Sequence, residues 1–354
     1  MRAHSEAYSR VLRSPRGEAW PVKKLINDPM EFVDETIEGV LLAHPDHLKR
    51  CEGSRRALMR ADGPVEGKVA IVTGGGSGHI PVFLGYVGPG LCDAVSIGNV
   101  FSSPSPDDML AATKAADGGA GVLHLYGNYS GDKMNFGMAA EMAEMEDIEV
   151  ATVLAKDDVS SAPVEEMDSR RAVAGLFFAY KTAGARAGEG ASLGEVVASA
   201  EKAVFNTRSM GVALTSCTIP AAGEPTFSIG EDEMEIGMGI HGEPGLRRGA
   251  IMPVDDVVDE MLEHVLPDRP FESGDEVAVL INSLGATPPE ELYIMYRRVT
   301  QVLGEKGIAI HREFIGEYAT SLEMAGASVS LLKLDDELKR LMDADAYSPM
   351  LPKF

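Results

Sequence analysis

Val69-Ala70-Ile71-Val72-Thr73-Gly74-Gly75-Gly76-Ser77-Gly78-His79-Ile80-Pro81 joins a run rich in β-branched residues to a cluster of glycines. That order predicts a buried strand over 69–73 whose carboxyl end opens into a tight loop. Glycines let backbone N–H groups approach an anion or a hydroxyl-rich ligand, and in open α/β sheets ligands bind outside the carboxyl ends of strands. The stretch therefore reads as a ligand loop. It does not read as a nucleotide loop: a Walker motif needs Lys and then Ser or Thr after its last glycine, and here Gly78 is followed by His79. The dinucleotide pattern G-x-G-x-x-G can be drawn only by choosing among crowded glycines, and Pro81 stands where its helix would begin.

Outward from this loop, strand and helix patterns alternate. Residues 34–42 and 46–50 read as helical pieces before it. After it come a strand over 94–98, a helix to about residue 116, a strand over 121–126, a helix over 134–146 and a strand over 149–155. Ser105 reads as the N-cap of the first of these helices, with Pro106 at its first position and Asp107 and Asp108 in its first turn. Such alternation predicts a mostly parallel sheet with helices on both faces. A long helix over 172–185 runs into Ala-Gly-Glu-Gly, and Ser192 with Glu195 forms a capping box for the next helix, through 205.

The second half has another order: strands over 211–216 and 234–241, a helix over 255–266, a strand over 276–282, a helix over 289–303, strands over 308–313 and 328–333, and a helix over 335–342. The expected fold class is α/β, with a mostly parallel sheet in the first domain and a mixed sheet in the second. The expected organisation is an N-terminal arm over 1–21, a first domain over 22–190, a second over 191–333, and a C-terminal helix and tail over 334–354.

Composition narrows the function. The chain has 354 residues, 45% of them hydrophobic, enough for two cores, and its formal net charge of −23 argues against a nucleic-acid or acidic-membrane binder. The three cysteines, Cys51, Cys92 and Cys217, form no CxxC pair, as expected in a reducing compartment. The longest apolar run, 172–179, falls far short of the roughly 18 residues of a membrane span, and the arginine-bearing N-terminus has no apolar core of a secretory signal. The expected location is the cytoplasm.

The second candidate stretch is Glu231-Asp232-Glu233-Met234-Glu235-Ile236-Gly237-Met238-Gly239-Ile240-His241-Gly242-Glu243-Pro244-Gly245. Read as a strand, it puts Met234, Ile236, Met238 and Ile240 on one face and Glu235, Gly237, Gly239 and His241 on the other. The glycines leave space beside His241, at a strand end facing a cleft. Asp132 follows the third strand and precedes a helix, where the ordinary reading is an N-cap. The hydroxyls of Ser102, Ser103 and Ser105 follow the second strand and serve equally well as caps. Three successive strand ends thus present glycine, hydroxyl and carboxylate chemistry on one edge. His44 and His47 lack the acidic or thiol neighbours of a metal site, and His124, His264 and His311 read as structural. No HExxH, GxSxG or EF-hand pattern is present.

With these motifs assembled, the chain resembles the substrate-binding subunit of the dihydroxyacetone kinase family. The resemblance covers nearly everything after about residue 22. It is carried by Lys24-Leu25-Ile26-Asn27-Asp28, 74–79, Phe101-Ser102-Ser103-Pro104, 128–136, 237–245, 320–326 and 331–337. It implies that His241 adds through a ring nitrogen to the ketone carbon of a short-chain ketose, holding the sugar as a hemiaminal. It implies that Asp132 and His79 assist phosphoryl transfer to the terminal hydroxyl, as base and acid. Gly76, Ser77, Gly78 and Ser103 would hydrogen-bond the sugar. A neutral imidazole, with an ordinary pKa of about 6.5, is available as a nucleophile at pH 7.

The family's ATP-binding helical domain does not occur before Phe354. The expectation is therefore that this chain binds no cofactor or metal itself, and that ATP or ADP with Mg sits on a partner subunit, recharged by exchange or by a phosphotransferase-system phosphoryl donor. A homodimer is implied by the resemblance alone. The familiar pattern has Glu after the loop histidine and Lys before Asn-Tyr, whereas this chain has Ile80 and Gly127. Loss of both polar groups predicts a larger, less polar pocket and makes erythrulose an alternative to dihydroxyacetone. A non-catalytic ketose sensor or coactivator is a further alternative, and a nucleotide-dependent oxidoreductase is disfavoured by the loop.

Overall fold

The computed structural model describes residues 23–351, so the expected arm over 1–21 lies outside the described residues. Twelve strands form two six-stranded sheets. The first contains β1 (Leu48–Arg50), β2 (Ala57–Arg60), β3 (Ala70–Ser77), β4 (Ala94–Val100), β5 (Val122–Gly127) and β6 (Val150–Ala155), in the order β1-β2-β4-β3-β5-β6. Strands β4, β3, β5 and β6 are parallel, and β1 and β2 extend one edge antiparallel. The second contains β7 (Thr207–Ala213), β8 (Glu233–Ile236), β9 (Arg247–Ala250), β10 (Glu276–Ser283), β11 (Ala309–Gly316) and β12 (Gly326–Leu334), in the order β11-β10-β12-β7-β8-β9. Only the β10–β11 pair is parallel there. This is the expected pair of α/β sheets, one mostly parallel and one mixed.

Eight α-helices complete the described fold: α1 (Phe32–Ala43), α2 (Pro106–Ala116), α3 (Ser130–Glu144), α4 (Leu176–Gly188), α5 (Leu193–Asn206), α6 (Val254–Asp268), α7 (Pro289–Glu305) and α8 (Asp336–Asp343). Period-two alternation sorts the strand residues between layers. In β10, Ala278 and Leu280 face the core shared with α4, α5 and α8, while Val277, Val279 and Ile281 face α6 and α7. In β3, Ile71 faces the shared core, and Ala70 and Val72 face α2 and α3. The order of layers is helices, sheet, shared helices, sheet, helices. The helix pair α4 and α5 touches the first sheet, and α5 also reaches β12 of the second. Two caps stand as expected: Ser105 accepts from the Asp108 N–H, and Ser192 with Glu195 completes a capping box. No helix among the described residues is long and apolar enough to cross a membrane.

Several local expectations are corrected. Residues 48–50 are a strand rather than helix, paired with a β2 that sequence patterning missed; Leu48 alone of the three is buried, too little to show a period. Strand β3 does not stop at Thr73 but runs through Gly74, Gly75 and Gly76 to Ser77, paired with β4 from Val72 onward. Strand β8 stops at Ile236 instead of reaching His241, because Gly237 has φ +83° and turns the chain out of the sheet. Its continuation returns as β9, whose Arg247 and Arg248 carry no apolar signal. Helix α3 starts four residues early, so Asp132 sits inside its first turn and Tyr129 occupies the N-cap.

Candidate active site

The glycines of β3 are explained by close approach rather than by flexibility. A Cβ on Gly76 would lie 2.6 Å from the Ser102 backbone nitrogen and 2.8 Å from the Phe101 Cα. The strand can thus lie directly against the 101–102 turn that ends β4. The chain leaves the sheet at Gly78, and there a segment from the second sheet meets it. Asn282 of β10, fully buried, accepts from the Tyr318 and Ala319 N–H groups at 2.8 Å each and so pins the chain before Thr320. Leu322 N–H then donates to the Gly78 carbonyl at 2.8 Å, and the Thr320 hydroxyl donates to the Ile80 carbonyl at 2.9 Å. Phe101 and Leu322 both take positive φ, 57° and 51°, and both pack beside Gly78. Such strain in non-glycine residues concentrates where surrounding contacts over-determine the backbone.

His79 is held between these two sheets. Its Nδ1 lies 2.7 Å from the Thr320 carbonyl and its Nε2 lies 3.0 Å from His241 Nε2. It is 1% exposed, and burial pulls its ring down to about 3, aided by the nearby charge of His241. Phe101 stacks on it at 4.9 Å between centroids. His241 stands edge-on to Tyr129 at 4.9 Å and to Phe101 at 5.3 Å, so a ring of aromatics limits its motion. On its other side, His241 Nδ1 lies 3.0 Å from Glu243 Oε1, and Glu243 Oε2 accepts the His241 backbone N–H at 3.0 Å. Burial pushes the Glu243 carboxyl up, but the hydrogen bond and charge of His241, with Arg171 beside it, hold it at about 2.

Asp132 and Ser103 form the third side. Burial pushes the Asp132 carboxyl up to about 6, against the Ser103 hydroxyl and the charge of His241. Its Oδ1 is buried with no hydrogen-bond partner, an acceptor left open. Ser103 packs against the Gly131 backbone at the start of α3, where a Cβ would lie 2.6 Å from its Oγ. An open groove lined by Arg55, Arg56, Asn99, Ser103 and Ser105 reaches this side from solvent. Gly127 does not leave the vacancy expected of it, because the Tyr129 ring and the Ala172 methyl already stand 3.1 Å from where its Cβ would be.

The residues singled out in the sequence are therefore gathered from both halves of the chain: His79 touches His241, and Ser103 and Asp132 lie together within reach of the His241 charge. Sequence reasoning missed Glu243, whose signal was available as a carboxylate two residues past the histidine, and Thr320, whose contact 241 residues away leaves no local trace. It also missed Arg171, tied to Asp158 through Nη2 at 2.7 Å and Nε at 3.0 Å. Among the described residues no group of three or more His, Cys, Asp or Glu is placed to hold a metal ion. A separate apolar cleft between α6, α7 and the second sheet, lined by Val212, Met234, Met252 and Met295, stands apart from these histidines.

Residues 38–350 match the Dak1 domain. The dihydroxyacetone-binding subunit of PTS-dependent dihydroxyacetone kinase 2 from Listeria innocua is 47% identical over 328 residues, covering 93% of this chain and 98% of that protein. The L-erythrulose kinase of Pectobacterium atrosepticum is 41% identical over 333 residues, covering 93% of this chain but 56% of that protein. The crystal structure of the dihydroxyacetone kinase of C. freundii superposes with a TM-score of 0.84 at 33% identity, over 92% of this chain and 59% of that one. The chain thus spans nearly all of the first relative and little more than half of the other two.

Proposed function

The chain belongs to the Dak1 family, and from that premise we propose that it is the ketose-binding subunit of a two-component kinase. It holds a short-chain ketose as a hemiaminal on His241 while the sugar's terminal hydroxyl is phosphorylated from a nucleotide carried on a separate subunit. The observation that carries this reading is the His79–His241 pair: two imidazoles in direct contact, one buried and backbone-anchored, the other on a loop and partly exposed. A carbonyl carbon reaching His241 Nε2 would meet a nucleophile with a proton acceptor already at hydrogen-bond distance.

The other residues take roles set by their surroundings. Asp132, raised by burial to about 6 and with an unpartnered oxygen, is the base for the terminal hydroxyl, since a carboxylate nearer to neutrality removes a proton more readily. His79, held by burial at about 3, acts as an acid only with a proton it has first received. Gly76, Ser77, Gly78 and Ser103 line the sugar side. The separate donor subunit is supported by the printed role of the Listeria relative as one subunit of a PTS-dependent kinase. On that basis the donor is ATP or ADP with Mg on the partner, recharged in the second case by a phosphotransferase relay; a homodimer in the cytoplasm rests on the family resemblance alone.

Incubation with dihydroxyacetone followed by intact-mass measurement tests capture, with His241→Ala as control. The wild-type chain gains one sugar less nothing, as addition requires, and the variant gains none. An unmodified wild-type mass under conditions that preserve hemiaminals overturns the covalent reading. A reconstituted assay with candidate nucleotide subunits separates catalysis from sensing. Erythrulose is a second reading, favoured by the identity to an erythrulose kinase and by Ile80 in place of a polar residue. Competition of the two ketoses for one adduct decides between them.

A further inference from the structure

The Thr320 carbonyl can only accept, so the His79 Nδ1 that faces it carries a proton. The ring is neutral, a state its burial favours, and it turns the Nε2 lone pair toward His241. His241 therefore faces an acceptor on each side, the His79 lone pair at Nε2 and the Glu243 carboxylate at Nδ1, both at 3.0 Å. Each contact needs a proton on His241. Both ring nitrogens of His241 thus have an acceptor at hydrogen-bond distance, and Glu243 also accepts its backbone N–H. The other charged or titratable groups around it are Asp132 from α3, Tyr129 at the N-cap of that helix, and Arg171 with Asp158 from the segment after β6.

Resting on the hemiaminal reading above, we propose that Glu243 is a positioning residue that aims His241 Nε2 at the ketone and serves as the counterion of the ring before and after capture, so that capture exchanges no proton with solvent. In the step, the Nε2 proton passes to His79 Nε2. The freed Nε2 lone pair forms the C–N bond while the C=O π pair moves to oxygen, and His79 returns the proton to that oxygen. The ring ends as an imidazolium alkylated at Nε2, still donating Nδ1–H to Glu243. Charge and protons balance without any further reactant. Arg171, anchored on Asp158, stops the carboxylate from turning away: a Cβ on Gly239 would lie 2.2 Å from Glu243 Oε2 and 2.9 Å from Arg171 Nη1, which places both groups on one spot.

The test compares wild type, Glu243→Gln and Glu243→Asp by adduct occupancy against dihydroxyacetone concentration at several pH values, with long-range 15N–1H spectra of the histidine rings. In Glu243→Gln the affinity for the adduct falls by about 10- to 100-fold, as for loss of one hydrogen bond to a charged group. The decline of occupancy with rising pH moves to lower pH, a change that a merely structural role does not produce, and Glu243→Asp recovers part of both. The wild-type spectrum at pH 7 shows both ring nitrogens of His241 protonated and His79 protonated at Nδ1 alone, a readout that stands even if the variants do not fold. A Glu243→Gln curve that overlays wild type at every pH, or a wild-type His241 with a single ring proton, overturns the proposal. Wild-type protein that forms no adduct overturns the hemiaminal reading instead, while the spectrum still decides the resting state.

Discussion

The two glycine-rich stretches that end in histidine look alike on paper and are built in opposite ways. Around His79 the strand persists through Gly74–Gly76, packed against the Ser96 and Phe83 side chains and the Phe101–Ser102 backbone, and the imidazole is fixed by the Thr320 carbonyl. Around His241 the strand has been abandoned at Gly237, and the imidazole is fixed by a carboxylate on its own loop. The first half is a strand whose glycines admit close-packed neighbours, backbone at Gly76 and the Phe83 ring at Gly75. The second is a loop whose glycines admit side chains and a turn. The difference separates a residue placed by the fold from one placed by a local hydrogen bond to a carboxylate, and it makes the halves respond differently to perturbation.

The strongest contrast lies in acid. His79 titrates at about 3 folded and near 6.5 unfolded, so between those values the unfolded chain binds more protons and stability falls as pH drops below about 6.5. The loss reaches at most about 1.4 kcal/mol per pH unit for one such group. His124, also held by burial at about 3, adds a second. His79→Gln removes one proton's worth of that slope in urea unfolding at pH 4 to 6.5, or about that window; an unchanged slope would break the distinction. Gly76→Ala comes next, costing about 1–3 kcal/mol by overpacking against backbone that cannot yield. Gly239→Ala, whose methyl meets only the ends of Glu243 and Arg171, keeps its unfolding midpoint but loses adduct.

Asp132→Asn runs the other way. The carboxyl titrates at about 6 folded and near 3.8 unfolded, so the folded chain binds more protons between those values and the ionised group costs stability above them. The variant is therefore more stable at pH 7 by about 1–3 kcal/mol, equal to wild type below about pH 4, and inactive in the reconstituted kinase assay. A variant less stable at pH 7 would count against a strained catalytic carboxylate. Gly237→Ala forces a side chain into positive φ and 2.7 Å from the Ser160 Cβ, which costs about 1–2 kcal/mol for the backbone alone and shifts the loop rather than the strand.

How much of this was legible follows from the range of the forces. Strand β3, the Ser105–Pro106 helix start and the Ser192–Glu195 box are local, and their residues announced them. His79, Asp132 and His241 stood out because their neighbours are glycines or strand ends. Strands β1, β2 and β9 were missed because three or four residues carry no usable period. The persistence of β3 through its glycines depends on the 101–102 turn, and the anchor of His79 on a carbonyl in the other sheet; neither partner is near in sequence.

The reach of those contacts has a consequence for how the molecule comes into being. The partners of His79 lie 162 and 241 residues further along the chain. During synthesis, the last strand of the first sheet, β6, is complete by Ala155, long before Thr320 leaves the ribosome. Contacts of such separation close late, after the loop entropy has been met by local structure. The contact between His79 and His241 is then among the last the nascent chain makes, and its presence certifies that both sheets have folded and docked.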